Sequence, residues 1–208
     1  MVRKGKKQKS QVREWTEAIV LAFLIAMVIR TFIVQAFKIP SSSMVPTLRV
    51  GDHILVWKFI YGIKIPLVDE KLFVRCPDRG DIIVFVYPKD KTKDFIKRVI
   101  ALPGEKIQIA NNQIFINERP IEDPWGYHAR GGVNSGSVRD NYGPEIVPPD
   151  SLFVMGDNRD NSQDSRYWGF VGLNAVKGEA FVIYFSWDKT SRNVLKKIRW
   201  TRIGDLIR

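Results

Sequence analysis

The sequence predicts a mainly β protein, in which an N-terminal transmembrane helix precedes a domain of mixed or antiparallel strands with a smaller hairpin and loop insert. Three observations predict this class. Residues 18–34, AIVLAFLIAMVIRTFIV, are apolar except for Arg30 and Thr31. From residue 50 onward, short β-branched and aromatic runs alternate with turn residues. After the apolar run, no stretch has the periodicity of a long amphipathic helix.

The apolar run is long enough to be a membrane anchor. Seventeen helical residues extend over roughly 26 Å, close to the ~30 Å of a hydrocarbon core. Residues 1–13 contain six basic side chains and no acidic one, so the positive-inside rule places the N-terminus in the cytoplasm. We therefore expect a basic cytoplasmic tail at 1–14, an anchor at 15–37 and an outer domain at 38–208.

Two other interpretations of the run remain open. A basic start followed by an apolar stretch and by Val34-Gln35-Ala36 also describes a signal peptide with a small-residue cleavage site. A buried core helix would have a similar composition. The run is long for the apolar part of a signal peptide, which favours a retained anchor.

The net charge of +11 is concentrated at the two ends of the chain. Residues 189–208 contain seven basic side chains and one acidic one, whereas residues 14–188 are almost balanced. Basic terminal segments can contact anionic lipid headgroups. Because no nucleic-acid-binding motif accompanies the charge, we expect a lipid bilayer as partner and no nucleic acid. Cys76 is the single cysteine, which excludes an internal disulfide.

The outer domain divides into expected strands and turns. The expected strands are HILVWKFIYGIKI, GDIIVFVYP, FIKRVIAL, SLFVM, GEAFVIYFSW and IRWTRIG. The stretch EKIQIANNQIFINERPI alternates around Asn111-Asn112, which predicts a hairpin. It is followed by PWGYHARGGVNSGSVRDNYGPE, which is rich in turn residues and is expected to be a surface loop. Together they predict an insert at about 104–150.

A serine-rich stretch and a lysine are candidates for nucleophilic chemistry. IPSSSMVPTL, residues 39–48, places three serines between two prolines. Neither His53 nor His128 lies in a recognisable catalytic setting, so a serine nucleophile would need a different base. Lysine serves as that base in some hydrolases. Its ordinary pKa near 10.4 must then be lowered by burial, because a protonated lysine cannot accept a proton.

The stretch DFIKRVIALPG supplies the lysine, Lys97. On a strand, Phe95, Lys97 and Val99 share one face, while Arg98 points the opposite way. An edge-strand lysine that points to water is the alternative. A third stretch, GDNRDNSQDSRYWG at 156–169, does not fit the EF-hand calcium pattern. It is either a polar turn held by Asp–Arg pairs or a loop that holds other groups in place.

Together these stretches resemble the bacterial type I signal peptidases, also called leader peptidases. That family has an anchor followed by P-S-x-S-M-x-P-T-L, R-G-D-I-x-V-F, Y-I-K-R and G-D-N-x-x-x-S-x-D-S-R. This chain has PSSSMVPTL, RGDIIVF, FIKR and GDNRDNSQDSRYWG in the same order, and the resemblance covers most of residues 15–187. It implies a signal-peptidase-like fold and a membrane-anchored Ser-Lys endopeptidase that removes signal peptides from exported preproteins.

The resemblance also implies the catalytic residues. Ser43 is expected to be the nucleophile and Lys97 its general base. Ser41 is expected to join the Ser43 amide in the oxyanion hole. Ser162 is expected to hydrogen-bond and orient Lys97. No metal or organic cofactor is implied.

Around these residues the resemblance implies a supporting salt bridge between Asp164 and Arg166. It also implies small pockets that favour small residues at positions −1 and −3 of the substrate. The residues expected near this cleft are Phe37, Ile39, Pro40, Val84 and Ile96. The implied location is the bacterial cytoplasmic membrane, crossed once, with the catalytic domain on the outer face.

The chain departs from the family pattern in two ways. Phe95 stands where the family often has tyrosine, and Ser42 replaces a common small residue. Two other functions remain as alternatives. One is a Ser-Lys protease that cleaves only itself, and the other is a non-enzymatic exported β-domain that binds peptide.

Overall fold

The computed structural model describes residues 11–64, 71–72, 75–129, 137–191 and 197–208. Most of the expected basic tail and the glycine-rich part of the insert lie outside these residues. The described chain begins with α1 (Gln11–Val28), which continues as a π-helical turn, Ile29–Ile33. These 23 residues form the one helix in the described part of the chain that is long and apolar enough to cross a membrane. Their length is about 34 Å.

The helix ends earlier than expected. After Ile33 the chain forms β1 (Val34–Lys38), which pairs antiparallel with β2 (Asp52–Trp57) and sets Phe37 opposite Ile54. Residues 34–37, expected in the anchor, are therefore part of the sheet. The cross-strand hydrogen bonds to β2 outweigh the apolar continuity of the sequence, which alone favours a longer helix.

The remaining strands range from two to 11 residues, and every pairing between named strands is antiparallel. In chain order they are β3 (Ile63–Lys64), β4 (Lys71–Leu72), β5 (Ile82–Val86), β6 (Asp94–Ala101), β7 (Lys106–Ala110), β8 (Gln113–Ile116), β9 (Arg119–Pro120), β10 (Tyr142–Ile146), β11 (Ser151–Met155), β12 (Val171–Gly172) and β13 (Val176–Ser186). The main sheet has the order β1-β2-β13-β5-β6-β11-β12, and a smaller sheet has the order β10-β7-β8-β9. The mainly β fold class is confirmed.

The serine-rich stretch is attached to the core of the main sheet. Met44 and Leu48 are 1% and 0% exposed, and they pack with Ile39 and with Ile54 and Val56 of β2. Along β2, buried and half-buried residues alternate, as in a strand with one face on the core. The serines between Ile39 and Met44 are thus held at a fixed position above a packed interior.

The smaller sheet contains the predicted hairpin. Asn111 and Asn112 join β7 to β8 with φ angles of 51° and 68°, the left-handed conformation that tight hairpin turns require. Ile107 and Ile114 of this hairpin are buried in one cluster with Phe153 of β11. The smaller sheet therefore shares a hydrophobic core with the main sheet.

Two of the expected strands differ in the structure. HILVWKFIYGIKI contains β2 and β3, separated by a turn that ends at Gly62. IRWTRIG was predicted wrongly, because it forms a 3₁₀ turn, Trp200–Arg202, and not a strand. The reason is electrostatic: Arg202 is turned inward to donate to the carboxylate of Asp52, which is fully buried.

Candidate active site

Ser43 lies in a tight turn that follows β1. Its side chain is 8% exposed, and its carbonyl oxygen accepts a hydrogen bond from the backbone N–H of Asn158 at 3.0 Å. The side-chain amide of Asn158 also donates to the carbonyl of Ser42 at 3.2 Å. The polar loop at 156–169 therefore fixes the backbone of the serine-rich stretch.

Lys97 lies in β6, inside the main sheet. β6 is flanked by β5 and β11, with Lys97 opposite Ile83 of β5. The side chain is 4% exposed, so the alternative of an edge lysine that points to water is wrong. Its Nζ lies 2.8 Å from Ser43 Oγ and 2.9 Å from the carbonyl oxygen of Ile96.

Burial changes the protonation of Lys97. Removal from water lowers the pKa of its ammonium group from 10.5 to about 8. The carboxylates of Asp164 and Asp157 oppose this shift, whereas the charge of Arg166 adds to it. At mildly alkaline pH the amine is therefore largely neutral, and a neutral amine within hydrogen-bonding distance of a hydroxyl can accept its proton.

Ser41 and Ser162 both lie in the cleft that contains Ser43 and Lys97, but they make different contacts. Ser41 Oγ lies 3.4 Å from Ser43 Oγ. Ser162 is 7% exposed and lies so close to Gly156 that a Cβ on this glycine would overlap both its hydroxyl and the carbonyl of Ser43. The hydrogen bond expected from Ser162 to Lys97 is not formed: Ser162 Oγ is buried without a hydrogen-bond partner of regular geometry.

Asp164 and Arg166 form a buried ion pair beneath these residues. Arg166 donates to both carboxylate oxygens of Asp164 at 2.8 Å. Burial by itself raises the pKa of Asp164, but the hydrogen bonds and charge of Arg166 outweigh it, and the nearby Ser162 hydroxyl also contributes to a lowered pKa overall. The backbone N–H of Arg166 also donates to Asp164, which caps α2 (Ser165–Trp168), a short helix that the sequence did not predict.

A second buried ion pair was missed in the sequence. Arg98, next to Lys97, donates to both carboxylate oxygens of Asp157 at 2.8 and 2.7 Å, and both side chains are fully buried. The hydroxyl of Thr47 donates to the same carboxylate at 2.6 Å. This pair therefore joins three stretches of the site: the serine-rich turn, β6 and the polar loop. Part of the signal was present, since Arg98 points to the face opposite Lys97 and would need a buried partner if the strand were central.

Replacing Asp157 with asparagine is expected to lower the free energy of unfolding by about 3–5 kcal/mol, because the buried Arg98 charge loses its counterion. Tryptophan fluorescence of the full chain in detergent, followed through a urea titration, measures the change. The matched control is Glu118→Gln, which breaks an exposed pair with Lys106 and should change the free energy of unfolding far less, because water screens that pair. Equal losses in the two variants would show that the Arg98 pair contributes no more than a surface contact.

Residues 12–187 match the protein family described as signal peptidase, peptidase S26. The chain belongs to this family. It is 37% identical to a signal peptidase I of Pseudomonas fluorescens over 223 aligned residues, which cover 92% of this chain and 78% of that protein. It is 39% identical to a signal peptidase I of Leptolyngbya laminosa, with 86% and 82% of the two chains covered. A crystal structure of a signal peptidase I from Enterococcus faecalis V583 aligns with a TM-score of 0.42 and 30% identity, over 51% of this chain and 97% of that one.

In this S26 peptidase, the Ser43–Lys97 pair opens into a cleft of about 580 Å³. Of the residues expected near the substrate, Pro40 and Ile96 line the cleft. Ile39 and Val84 are each only 2% exposed, and they belong with Phe37 to the hydrophobic cluster that includes Ile96. They therefore support the cleft and do not form its surface. Cleft residues that sequence reasoning missed are Asp94, Phe95, Asp160, Asn161, Gln163 and Tyr167.

A second cavity of about 600 Å³ lies beside the smaller sheet, between Asn112 and His128. It contains neither a serine nor a lysine, so it does not compete with the Ser43 cleft as the site of this chemistry. Among the residues that the structure describes, no group of three or more His, Cys, Asp or Glu side chains is arranged to hold a metal ion.

Proposed function

We propose that this chain is a membrane-anchored serine endopeptidase that cleaves signal peptides from exported preproteins, with Ser43 as nucleophile and Lys97 as general base. The observation that carries the proposal is the 2.8 Å contact between Ser43 Oγ and a lysine whose pKa burial lowers to about 8. Membership of the peptidase S26 family supports the same reaction.

In the acylation step, neutral Lys97 takes the proton of Ser43 Oγ while that oxygen attacks the scissile carbonyl. The resulting oxyanion accepts hydrogen bonds from the Ser41 hydroxyl and the Ser43 backbone amide. The ammonium of Lys97 then gives its proton to the leaving amine, and the peptide bond breaks. Lys97 Nζ also donates to the Ile96 carbonyl, which helps to orient its amine towards Ser43.

In the deacylation step, Lys97 takes a proton from a water molecule as that water attacks the acyl-serine. The mature protein has by then left the site, which makes room for that water. The ester bond to Ser43 Oγ then breaks, and the ammonium of Lys97 returns the proton to that oxygen. The Asp164–Arg166 pair supports the walls of the site, and Ser162, whose hydroxyl is buried beside Asp164, is assigned to orient Lys97 during the reaction. Small pockets near Pro40 and Ile96 restrict positions −1 and −3 of the substrate to small residues.

The membrane positions the enzyme beside its substrate. We assign residues 1–14 to a cytoplasmic tail that continues into the helix, the segment up to Ile33 to the anchor, and the β-rich domain to the outer face of the cytoplasmic membrane. Ser43 follows Ile33 by ten residues, so it lies at most about 33 Å from the end of the anchor. A signal peptide crosses the same bilayer, and its cleavage site emerges at a comparable distance.

A purified preprotein with an Ala-x-Ala site, incubated with the full chain in detergent micelles, tests this function. We expect cleavage after the second alanine, established by N-terminal sequencing of the product, and loss of cleavage when that alanine is replaced by leucine. Ser43→Ala enzyme prepared in parallel measures any contaminating peptidase. Cleavage at other positions, or equal cleavage of the alanine and leucine substrates, would contradict the proposed specificity.

Replacing Ser41 with alanine is expected to lower kcat by about 10²–10³-fold with little change in KM, because one oxyanion donor is lost in the transition state. The matched control is Ser42→Ala, since the hydroxyl of Ser42 accepts a hydrogen bond from Asn161 at 2.9 Å and is not assigned to the oxyanion. Steady-state kinetics on the Ala-x-Ala substrate measure both. Similar losses in the two variants would remove Ser41 from the oxyanion hole.

A further inference from the structure

The insert contacts residues 157–159 of the polar loop through a short segment, residues 123–127, which we call the brace. The sequence places it at the start of an expected surface loop. In the structure its last residue joins the polar loop: the backbone N–H of Tyr127 donates to the carbonyl of Asp157 at 2.7 Å, and that of Arg159 donates to the carbonyl of Tyr127 at 2.9 Å. Tyr127 and Asn158 thereby form a parallel β-bridge.

Two side chains of the brace contact buried arginines. Asp123 accepts hydrogen bonds from both terminal nitrogens of Arg159, one of them at 2.8 Å, and Arg159 itself is only 1% exposed. Arg159 also donates to the carbonyl of Gly156 at 3.1 Å. The ring of Trp125 lies 4.7 Å from the guanidinium carbon of Arg98, the partner of Asp157. The brace therefore contacts the loop directly at Asp157 and Arg159, and indirectly through the Arg98–Asp157 pair.

Between these contacts lies Asn158, which makes two hydrogen bonds to the serine-rich turn. Its backbone N–H donates to the carbonyl of Ser43, and its side-chain amide donates to the carbonyl of Ser42. A connected path thus runs from Asp123 by hydrogen bonds to Arg159, along the backbone to Asn158, and by a hydrogen bond to Ser43. A glycine at position 126 leaves space for this contact, because a Cβ there would overlap the Asp123 carboxylate.

We propose that the brace positions Ser43 for attack by holding the 156–159 loop, which makes Asp123 and Trp125 positioning residues for the peptidase reaction. This inference rests on the proposed function. Neither side chain reaches Ser43, so their effect passes through Asn158. The physical basis is geometric: a displacement of a reacting group by about 1 Å can cost about 100-fold in rate, even when the change is far from the chemistry.

The insert offers a matched control for a purely structural effect. Glu105 forms an ion pair with Arg79 at 2.7 Å and accepts a hydrogen bond from the backbone of Leu102 at 2.7 Å. The exposed fraction of its side chain is 19%, close to the 16% of Asp123. This pair also ties the insert to the main sheet, but it makes no contact with the 156–159 loop. Glu105→Gln should therefore destabilise the insert without displacing Ser43.

The test compares Asp123→Asn, Trp125→Leu and Glu105→Gln in the full chain, in detergent micelles, well below their thermal midpoints. We expect kcat to fall about 10- to 100-fold in the two brace variants with KM changed less than about threefold. Glu105→Gln should keep kcat within about twofold of wild type. Equal kcat losses in all three variants, unchanged kcat in the brace variants, or a change in KM alone would overturn the proposal.

A second readout separates this proposal from the proposed function. In ¹³C-labelled protein, the NMR titration of Lys97 reports how well the loop keeps water from the site. Loosening the loop in Asp123→Asn should move the titration of Lys97 upward, towards the 10.5 of a free lysine, and Glu105→Gln should leave it unchanged. If the wild-type chain cleaves no preprotein, the proposed function is contradicted. The NMR titration tests the brace separately: an unchanged Lys97 titration in Asp123→Asn would contradict its positioning role.

Discussion

Replacing Ser43 with alanine abolishes preprotein cleavage, with an expected loss of about 10⁵-fold or more in kcat, because a serine and its base act as one unit. The fold should persist, since the change removes one hydrogen bond to Lys97, worth about 1 kcal/mol. Single-turnover assays with enzyme in excess over a labelled preprotein measure residual cleavage down to this level. Near-ultraviolet circular dichroism and the thermal midpoint check that the variant is folded.

Neighbouring hydroxyls make this experiment informative. Ser41 Oγ lies only 3.4 Å from Ser43 Oγ, so a variant that kept more than about 1% of wild-type activity would point to a different nucleophile. A stricter test is Ser43→Cys in a Cys76→Ser background, where the new cysteine is the only one in the chain. If Ser43 is the nucleophile, a thiol reagent should then abolish whatever activity this variant has.

The sequence predicted the elements of this fold that depend on local pattern. The Asn111-Asn112 hairpin formed because two neighbouring residues that tolerate positive φ lie between alternating runs. Met44 and Leu48 are apolar residues beside the serines of the same stretch, and both are buried, as their local pattern favours. The apolar run gave the helix, but its end at Ile33 depends on pairing with β2, which is a tertiary contact. A window of apolar residues carries no information about that contact.

The buried charged residues in and around the active site were less predictable from the sequence than the strands. The neighbours that bury Lys97 are β5 and β11, and neither can be assigned from the sequence around Lys97 itself. The Arg98–Asp157 pair joins residues 59 positions apart. IRWTRIG has a pattern typical of a strand, yet a distant carboxylate at Asp52 draws Arg202 into a turn. In each case a long-range contact, a strand pairing or an ion pair, determines what the local pattern cannot.

Charge burial connects stability and function in this site. Burial lowers the pKa of Lys97, which allows it to act as a base. The same shift means that the charged form of Lys97 destabilises the folded state relative to the unfolded state. The ion pairs Arg98–Asp157 and Asp164–Arg166 surround it and keep the polar loop in place. A site of this kind trades stability for activity. Removal of the lysine should therefore lower the activity and raise the stability of the protein.

Lys97→Met is expected to lose about 10⁴-fold or more in kcat, because methionine fills the space of the side chain but cannot accept the proton of Ser43. The wild-type enzyme should show the titration of this base. Its kcat/KM should rise about tenfold per pH unit up to about pH 8, where Lys97 becomes neutral, and should then level off. The control is Lys177→Met, which removes a partly exposed lysine paired with Asp94 and should keep the wild-type profile.

The same variant should be more stable than wild type at neutral pH. The pKa of Lys97 falls from 10.5 in the unfolded chain to about 8 in the folded one, so the unfolded state binds the proton more tightly. Below pH 8 this costs the folded protein about 3 kcal/mol, and the cost disappears as pH rises to 10.5. Lys97→Met removes that cost but also two hydrogen bonds, so we expect it to raise the free energy of unfolding by about 1–3 kcal/mol at pH 7. The difference should shrink steadily towards pH 10.5 in urea titrations. A variant that is less stable than wild type at pH 7, or a difference independent of pH, would mean that Lys97 is charged and fully paired in the folded protein and cannot act as the base.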